Sequence, residues 1–326
     1  MNLNLTKITF LNMLIFSTLM TISASNWLTM WMSLELNLFS IIPIFNFKIS
    51  IYSIESTMKY FLIQAFASIL FLMMLIYKSM FFLLNNNFLM ILPLLIKLSL
   101  MPFHIWLPSM LEGLNWFSCL LMLTWQKISP MILISYLNNS KMLMLTIMFI
   151  FFNSIFGMNQ NSIRKIMAIS SINNSSWMIF AIMMNEYLWM NYLFIYSFLN
   201  ILIINILNKY NINYINQLKF FNMNFFLKLN LMMLIFSIMG LPPMLGFVMK
   251  WMLIKSLLLN KMYLILFMLM NLTIINLFMY LKFSYFLLFN FNLFNKWFIQ
   301  NKKNNNFNLF MFINFFSLFF IYLFIY

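Results

Sequence analysis

Long apolar runs separated by short polar breaks dominate the chain, and their lengths predict about eleven membrane-crossing helices. The runs cover residues 8–25, 27–46, 57–78, 88–108, 115–137, 142–158, 165–185, 187–208, 230–255, 260–285 and 308–326. Most reach the roughly 18 to 20 residues that cross a bilayer as a helix. The two-residue alternation of an outer-membrane barrel is absent, so helices must satisfy the backbone inside lipid. Two polar stretches interrupt the pattern, KYNINYINQLKFFNMNFFLKLN at 209–230 and NFNLFNKWFIQNKKNNN at 290–306. Their interleaved Asn, Lys and aromatic residues read as interfacial linker rather than a second domain. The first run follows Lys7 and is read as a retained helix, because no small-residue cleavage site comes after it.

Composition strengthens the membrane reading. Of 326 residues, 64% are hydrophobic and 7% charged, against about 25% charged in soluble domains. Phe (42) and Met (35) are abundant while glycine falls to four, and arginine and valine occur once each, as Arg164 and Val248. Such usage is expected where AT-rich codons dominate and a mitochondrial code reads an extra one as Met; the alternative is that Met merely fills gaps in the core. The net charge of +15 therefore partly reflects lysine inflation and is no nucleic-acid signature. With the N-terminus on the positive-inside face, that face collects Lys7, Lys48, Arg164, Lys165, Lys209, Lys219, Lys228, Lys296, Lys302 and Lys303. Only Lys78, Lys141, Lys255 and Lys261 lie opposite, which places the N-terminus inside and the C-terminus outside.

Charges inside the spans carry the chemistry. A lysine or aspartate at a span centre costs about 2.5 to 3.5 kcal/mol on insertion scales, so such groups line hydrated paths or pair with one another. Glu35 is the carboxylate well inside a span, and Lys97, Lys127 and Lys250 lie centrally; Lys59 and Lys282 are near enough to span ends to snorkel. Each central lysine has a helix breaker nearby: Pro102 after Lys97, Pro130 after Lys127, and Pro242 with Pro243 before Lys250. A proline inside a helix frees the carbonyl four residues earlier, here Leu98, Gln126, Ile238 and Met239. Freed carbonyls in lipid need water or protein partners, so the breaks predict hydrated cavities beside the lysines. A lysine whose charge is poorly solvated can give up and regain a proton, and His104, the one histidine, titrates near neutrality. Glu35, Lys97, His104 and Lys127 are thus candidate stations of a proton relay. Broken segments near 97–104 and 240–250, one in each half, fit a transporter built from repeats.

The blocks WMSLELNLFSIIPI, STMKYFLIQAFAS, KLSLMPFHIWLPSMLEGL, LTWQKISP, NQNSIRKIMAISSI and GLPPMLGFVMKW, in this order, resemble the NADH-ubiquinone oxidoreductase chain 2 family, the mitochondrially encoded antiporter-like subunits of respiratory complex I. The resemblance runs from about residue 8 to residue 285. It implies an all-α polytopic bundle with two inverted five-helix repeats, 8–137 and 142–285, an amphipathic linker at 286–307 and a C-terminal helix at 308–326. It implies one proton-translocation unit driven by redox chemistry in other subunits. By matching blocks, Glu35 corresponds to the carboxylate that pairs with the broken-helix lysine, and Lys97 to that lysine. Lys127 corresponds to the central-axis lysine, Lys250 to the lysine toward the exit side, and His104 to a histidine of the hydrophilic axis.

One departure stands out. Where family members commonly carry a histidine, this chain reads SSINNSSWM, and Asn174 cannot carry a proton on its side chain. The link between halves must use water or another route, and Asn173, Asn174 and Ser175 are candidates to orient such water. The chain has no Gly-rich phosphate loop, no second histidine or cysteine for a metal or cluster, and no nucleophile with an evident base. NADH, FMN, iron-sulfur clusters and ubiquinone are expected in other subunits. The resemblance implies other membrane-arm subunits as partners, neighbouring antiporter-like subunits among them. Phospholipids, with cardiolipin a candidate, are expected too, in the mitochondrial inner membrane, with the N-terminus in the matrix and the C-terminus in the intermembrane space. Two other readings compete: a cation/proton antiporter subunit of the related multi-subunit family, and a structural subunit whose buried charges only specify packing.

Overall fold

The computed structural model describes residues 5–47, 50–80, 87–137, 151, 153–157, 159–184, 187–220, 225–242 and 244–288. Pro243, the linker beyond residue 288, the helix expected at 308–326 and most of the span expected at 142–158 lie outside them. Among the described residues, seven helices are long and apolar enough to cross a membrane, and the chain is a multi-pass membrane protein.

Chain order gives the packing. Leu5–Ser23 lies against Trp27–Phe45, which lies against Ile51–Met80; the latter contacts Asn87–Lys97 and Trp106–Gly113. Trp116–Leu123, a short 3-10 turn over Trp125–Lys127, and Ile128–Leu137 form one interrupted crossing. Ile163–Met184 is the axis of the bundle, buried without a gap from Ile166 to Ile182. It is packed by Trp106–Gly113, Leu188–Tyr210 and Leu245–Leu259. Leu188–Tyr210 also meets Phe225–Met239, and Tyr263–Leu288 closes that side. Its outer face keeps Leu264, Phe267, Ile274 and Phe278 exposed, which only lipid solvates well.

Two runs expected as single spans are each two helices. The run at 88–108 ends its first helix at Lys97 and resumes at Trp106, and the run at 230–255 breaks between Met239 and Leu245. Pro102 accordingly sits in the connection rather than inside a helix, while Pro93 is tolerated within Asn87–Lys97. Both first halves stop in the same way. Ser99 adopts φ 58° and Gly240 φ 77°. Leu100 N donates to Leu95 O and Ser99 N to Ile96 O, as Leu241 N donates to Phe236 O and Gly240 N to Ser237 O. This paired closure satisfies the last carbonyls with one left-handed residue.

The helix expected to start near residue 57 begins at Ile51 instead. Ser50 and Ser53 cap it reciprocally, each hydroxyl accepting from the other's backbone N–H at 3.1 and 2.9 Å. The polar run at 209–230 divides as well. Gln217 Oε1 accepts from Asn213 N and Tyr214 N and pins residues 211–216, and the apolar end is already helical from Phe225.

A lysine axis between two small cavities

Lys97 closes its helix at the first break, where it is 9% exposed. A cavity of about 20 Å³ adjoins it, lined also by Asn37, Tyr60, Gln64 and Gln126, large enough for one water. The polar wall is cross-linked by hydrogen bonds. Asn37 Nδ2 donates to Gln126 Oε1 and to Ser129 Oγ, both at 3.1 Å, Gln126 Nε2 donates back to Asn37 Oδ1 at 2.9 Å, and Tyr60 Oη reaches Gln126 Oε1 at 3.3 Å. Glu35 is half-buried on the neighbouring helix, close enough for its charge to act on Lys97. Neither ion pair among the described residues joins them.

Lys127 ends the 3-10 turn, a break in the helix ahead of Pro130. Its Nζ donates to Ser171 O at 2.6 Å and stands 5.2 Å from the centre of the Tyr196 ring. Lys250 belongs to Leu245–Leu259, and its Nζ donates to Met239 O across the second break. Met239 is the last residue of its helix, and its carbonyl finds a partner in the lysine. Gly240 makes the seat: a Cβ there would fall 2.8 Å from Lys250 Cδ, on a backbone already at φ 77°. The Trp177 ring lies 5.9 Å from Lys250 Nζ. A second cavity of about 20 Å³ opens beside it, lined by Asn173, Asn174, Thr273, Asn276 and Tyr280 among others.

Of the asparagines singled out in the sequence, Asn173 and Asn174 line this second cavity. Asn173 accepts from Asn153 Nδ2 at 2.6 Å and donates to Asn276 Oδ1 at 2.8 Å, while Asn174 accepts from Tyr192 Oη at 2.8 Å. Ser175 turns back on its own helix, donating to Ser171 O and Ile172 O. His104 lies apart, in the connection after Lys97, with its ring 4.9 Å from that of Phe156 and Nδ1 unpartnered among the described residues. Lys59 and Lys282 are at accessible positions, paired with Glu55 and Asn161.

Sequence reasoning missed Asn37, Tyr60, Gln126, Tyr192 and Asn276, whose only signal was polarity inside an apolar run. It also missed a polar cavity of about 480 Å³ near one end of the bundle, lined by Glu55, Lys59, Glu112 and Arg164. Arg164 donates there to Glu112 O at 2.6 Å and Asn213 Oδ1 at 2.8 Å, and Lys165 pairs with Glu112 at 2.9 Å.

Broken helices with lysines at the breaks, inside an otherwise apolar bundle, define an antiporter-like transmembrane subunit. The family model described as NADH:quinone oxidoreductase/Mrp antiporter, transmembrane, matches residues 24–276. Solved structures share the fold: a chain of respiratory complex I from Thermus thermophilus superposes with a TM-score of 0.77 at 19% identity, over 87% of this chain and 71% of that one. A chain of the Mrp complex from Dietzia sp. gives 0.75 at 13% identity, over 84% and 59%. NADH-ubiquinone oxidoreductase chain 2 of Aedes aegypti is 43% identical over 321 residues, 95% of this chain and 94% of its own. That of Anopheles gambiae is 43% identical over 260 residues, 76% of each chain. The chain belongs to the NADH-ubiquinone oxidoreductase chain 2 family.

Proposed function

We propose that the chain translocates protons as a membrane-arm subunit of respiratory complex I, through Glu35, Lys97, Lys127 and Lys250, with His104 as a side station of the hydrophilic axis. One observation carries the reading. Three lysines follow one another through the apolar bundle, the outer two each beside a cavity of about 20 Å³ walled by amides and phenols. A packing charge needs partners but no water; a proton station needs room for a donor or acceptor that exchanges. Glu35 acts on Lys97 through charge without a direct ion pair, so the lysine keeps its freedom to exchange. Asn173 and Asn174 supply the polar wall of the second cavity, and the backbone breaks before Pro102, Pro130 and Pro242 keep the path from closing into regular helix.

In this reading the two cavities belong to the inverted repeats 8–137 and 142–285. NADH, FMN, iron-sulfur clusters and ubiquinone belong to other subunits, whose redox chemistry supplies the energy. The subunit works in the mitochondrial inner membrane beside other antiporter-like subunits and phospholipids, cardiolipin included, with its N-terminus in the matrix and its C-terminus in the intermembrane space.

The test is Lys97→Met, measured as protons pumped per NADH oxidised in sealed membranes, with assembly checked on the same sample. Loss of pumping in an assembled complex supports the relay; normal pumping reduces Lys97 to a packing charge.

A further inference from the structure

Between Lys127 and the second cavity lies a group of polar atoms without well-formed hydrogen bonds to the described residues. Tyr196 Oη and both amide atoms of Asn200 are buried and accept or donate no hydrogen bond among the described residues. Their residues are 1% and 0% exposed, and their i, i+4 spacing puts them on one face of Leu188–Tyr210. The Tyr196 hydroxyl lies within polar contact of Asn200 and Ser171, without a well-formed hydrogen bond to either. Ser171 is the residue whose carbonyl receives Lys127 Nζ. One turn earlier on the same helix, Tyr192 donates to Asn174. Tyr192, Tyr196 and Tyr280 lie near one another, and Tyr280 lines the cavity beside Lys250.

Buried polar atoms in folded proteins almost always have a partner, and where the protein supplies none, ordered water does, making about three hydrogen bonds. From this geometry we infer that Tyr196 and Asn200 hold buried water that passes protons between Lys127 and the Lys250 cavity. The inference rests on the relay reading above, and it supplies the link at which Asn174 stands in place of a titratable side chain. The step balances. A proton leaves Lys127 Nζ for the water, which hands one of its own to a tyrosine hydroxyl; each hydroxyl gives up one proton as it receives another. A neutral Lys250 amine takes the last. Lys127 ends neutral, Lys250 ends charged, and no tyrosine changes charge.

Two substitutions in the intact complex test it. Tyr196→Phe removes the hydroxyl and keeps the ring that faces Lys127, and Asn200→Leu fills the site with an apolar side chain. Protons pumped per NADH oxidised in sealed membranes should fall for both by as much as for Lys97→Met. A map of the wild-type complex at water-resolving resolution should show density within hydrogen-bond distance of Tyr196 Oη and of the Asn200 amide. Wild-type proton yield in Tyr196→Phe, alongside loss in Lys97→Met, overturns the link and leaves the relay standing. A map without that density overturns the water site. Normal pumping by Lys97→Met sinks the relay reading instead, and the density then decides the water site alone. If Asn200→Leu does not assemble, Tyr196→Phe, which differs from the native chain by one oxygen, carries the test.

Discussion

Replacing Lys127 by methionine separates a proton station from a packing charge, because the two roles predict different changes in stability. The substitution removes one hydrogen bond from an ammonium to Ser171 O, 2.6 Å long, worth about 1.5 to 3 kcal/mol for a charged donor. It also removes the approach to the Tyr196 ring at 5.2 Å, worth about 0.5 to 2 kcal/mol. Ser171 O is not left bare, because Ser175 Oγ donates to it at 2.8 Å. Against these losses, the change withdraws a charge whose place in the membrane costs about 2.5 to 3.5 kcal/mol, and methionine fills the stem's volume with a flexible chain. The terms largely offset one another, so the net change should lie between about 1.5 kcal/mol gained and about 2.5 kcal/mol lost. Thermal unfolding of the purified complex should therefore be close to wild type, while protons pumped per NADH oxidised fall. If Lys127 instead holds the helices together, the substitution behaves like breaking a buried pair, at about 3 to 5 kcal/mol. A large drop in thermal stability, or an unchanged proton yield, would refute the reasoning.

Two further outcomes follow from the same geometry. Gly240→Ala places a Cβ 2.8 Å from Lys250 Cδ on a backbone at φ 77°; we expect the lysine to lose its contact with Met239 O and pumping to fall, read as proton yield and as displaced Lys250 density. Asn37→Leu strips Gln126 and Ser129 of the bonds that Asn37 makes to them. At about 1 to 3 kcal/mol for each buried group left unpartnered, assembly should weaken measurably on native gels, whereas Asn37→Gln, which keeps the amide, should recover part of it.

Most of the crossing helices were legible because apolar length is a strong signal. The breaks were legible from Pro102 and Pro242, although the sequence joined each pair of half-helices into one span: apolar residues continue across both gaps, and Ser99 gives no compositional sign of its left-handed backbone. The lysines were legible for a different reason, since a charge in an apolar run has few explanations. Tyr192, Tyr196 and Asn200 were not. In a chain enriched in Asn and Tyr, one such residue inside a span says little, and only the fold shows that their i, i+4 spacing faces the axis rather than lipid. Asn37 and Gln126 were hidden in another way, because they lie 89 positions apart and acquire meaning only by meeting.

The four glycines have a bearing on how this chain came to look as it does. Glycine codons begin with two guanines, so a genome sliding toward adenine and thymine sheds them wherever another residue can stand. Gly246 lies so close to the Ser237 carbonyl that any Cβ would collide with it, and Gly113 crowds the Tyr52 carbonyl in the same manner. In a chain with four glycines among 326 residues, these two mark places where another backbone comes so close that no side chain fits between. Gly113 and Gly246 are thus contact points of the architecture itself, fixed by the space between two backbones.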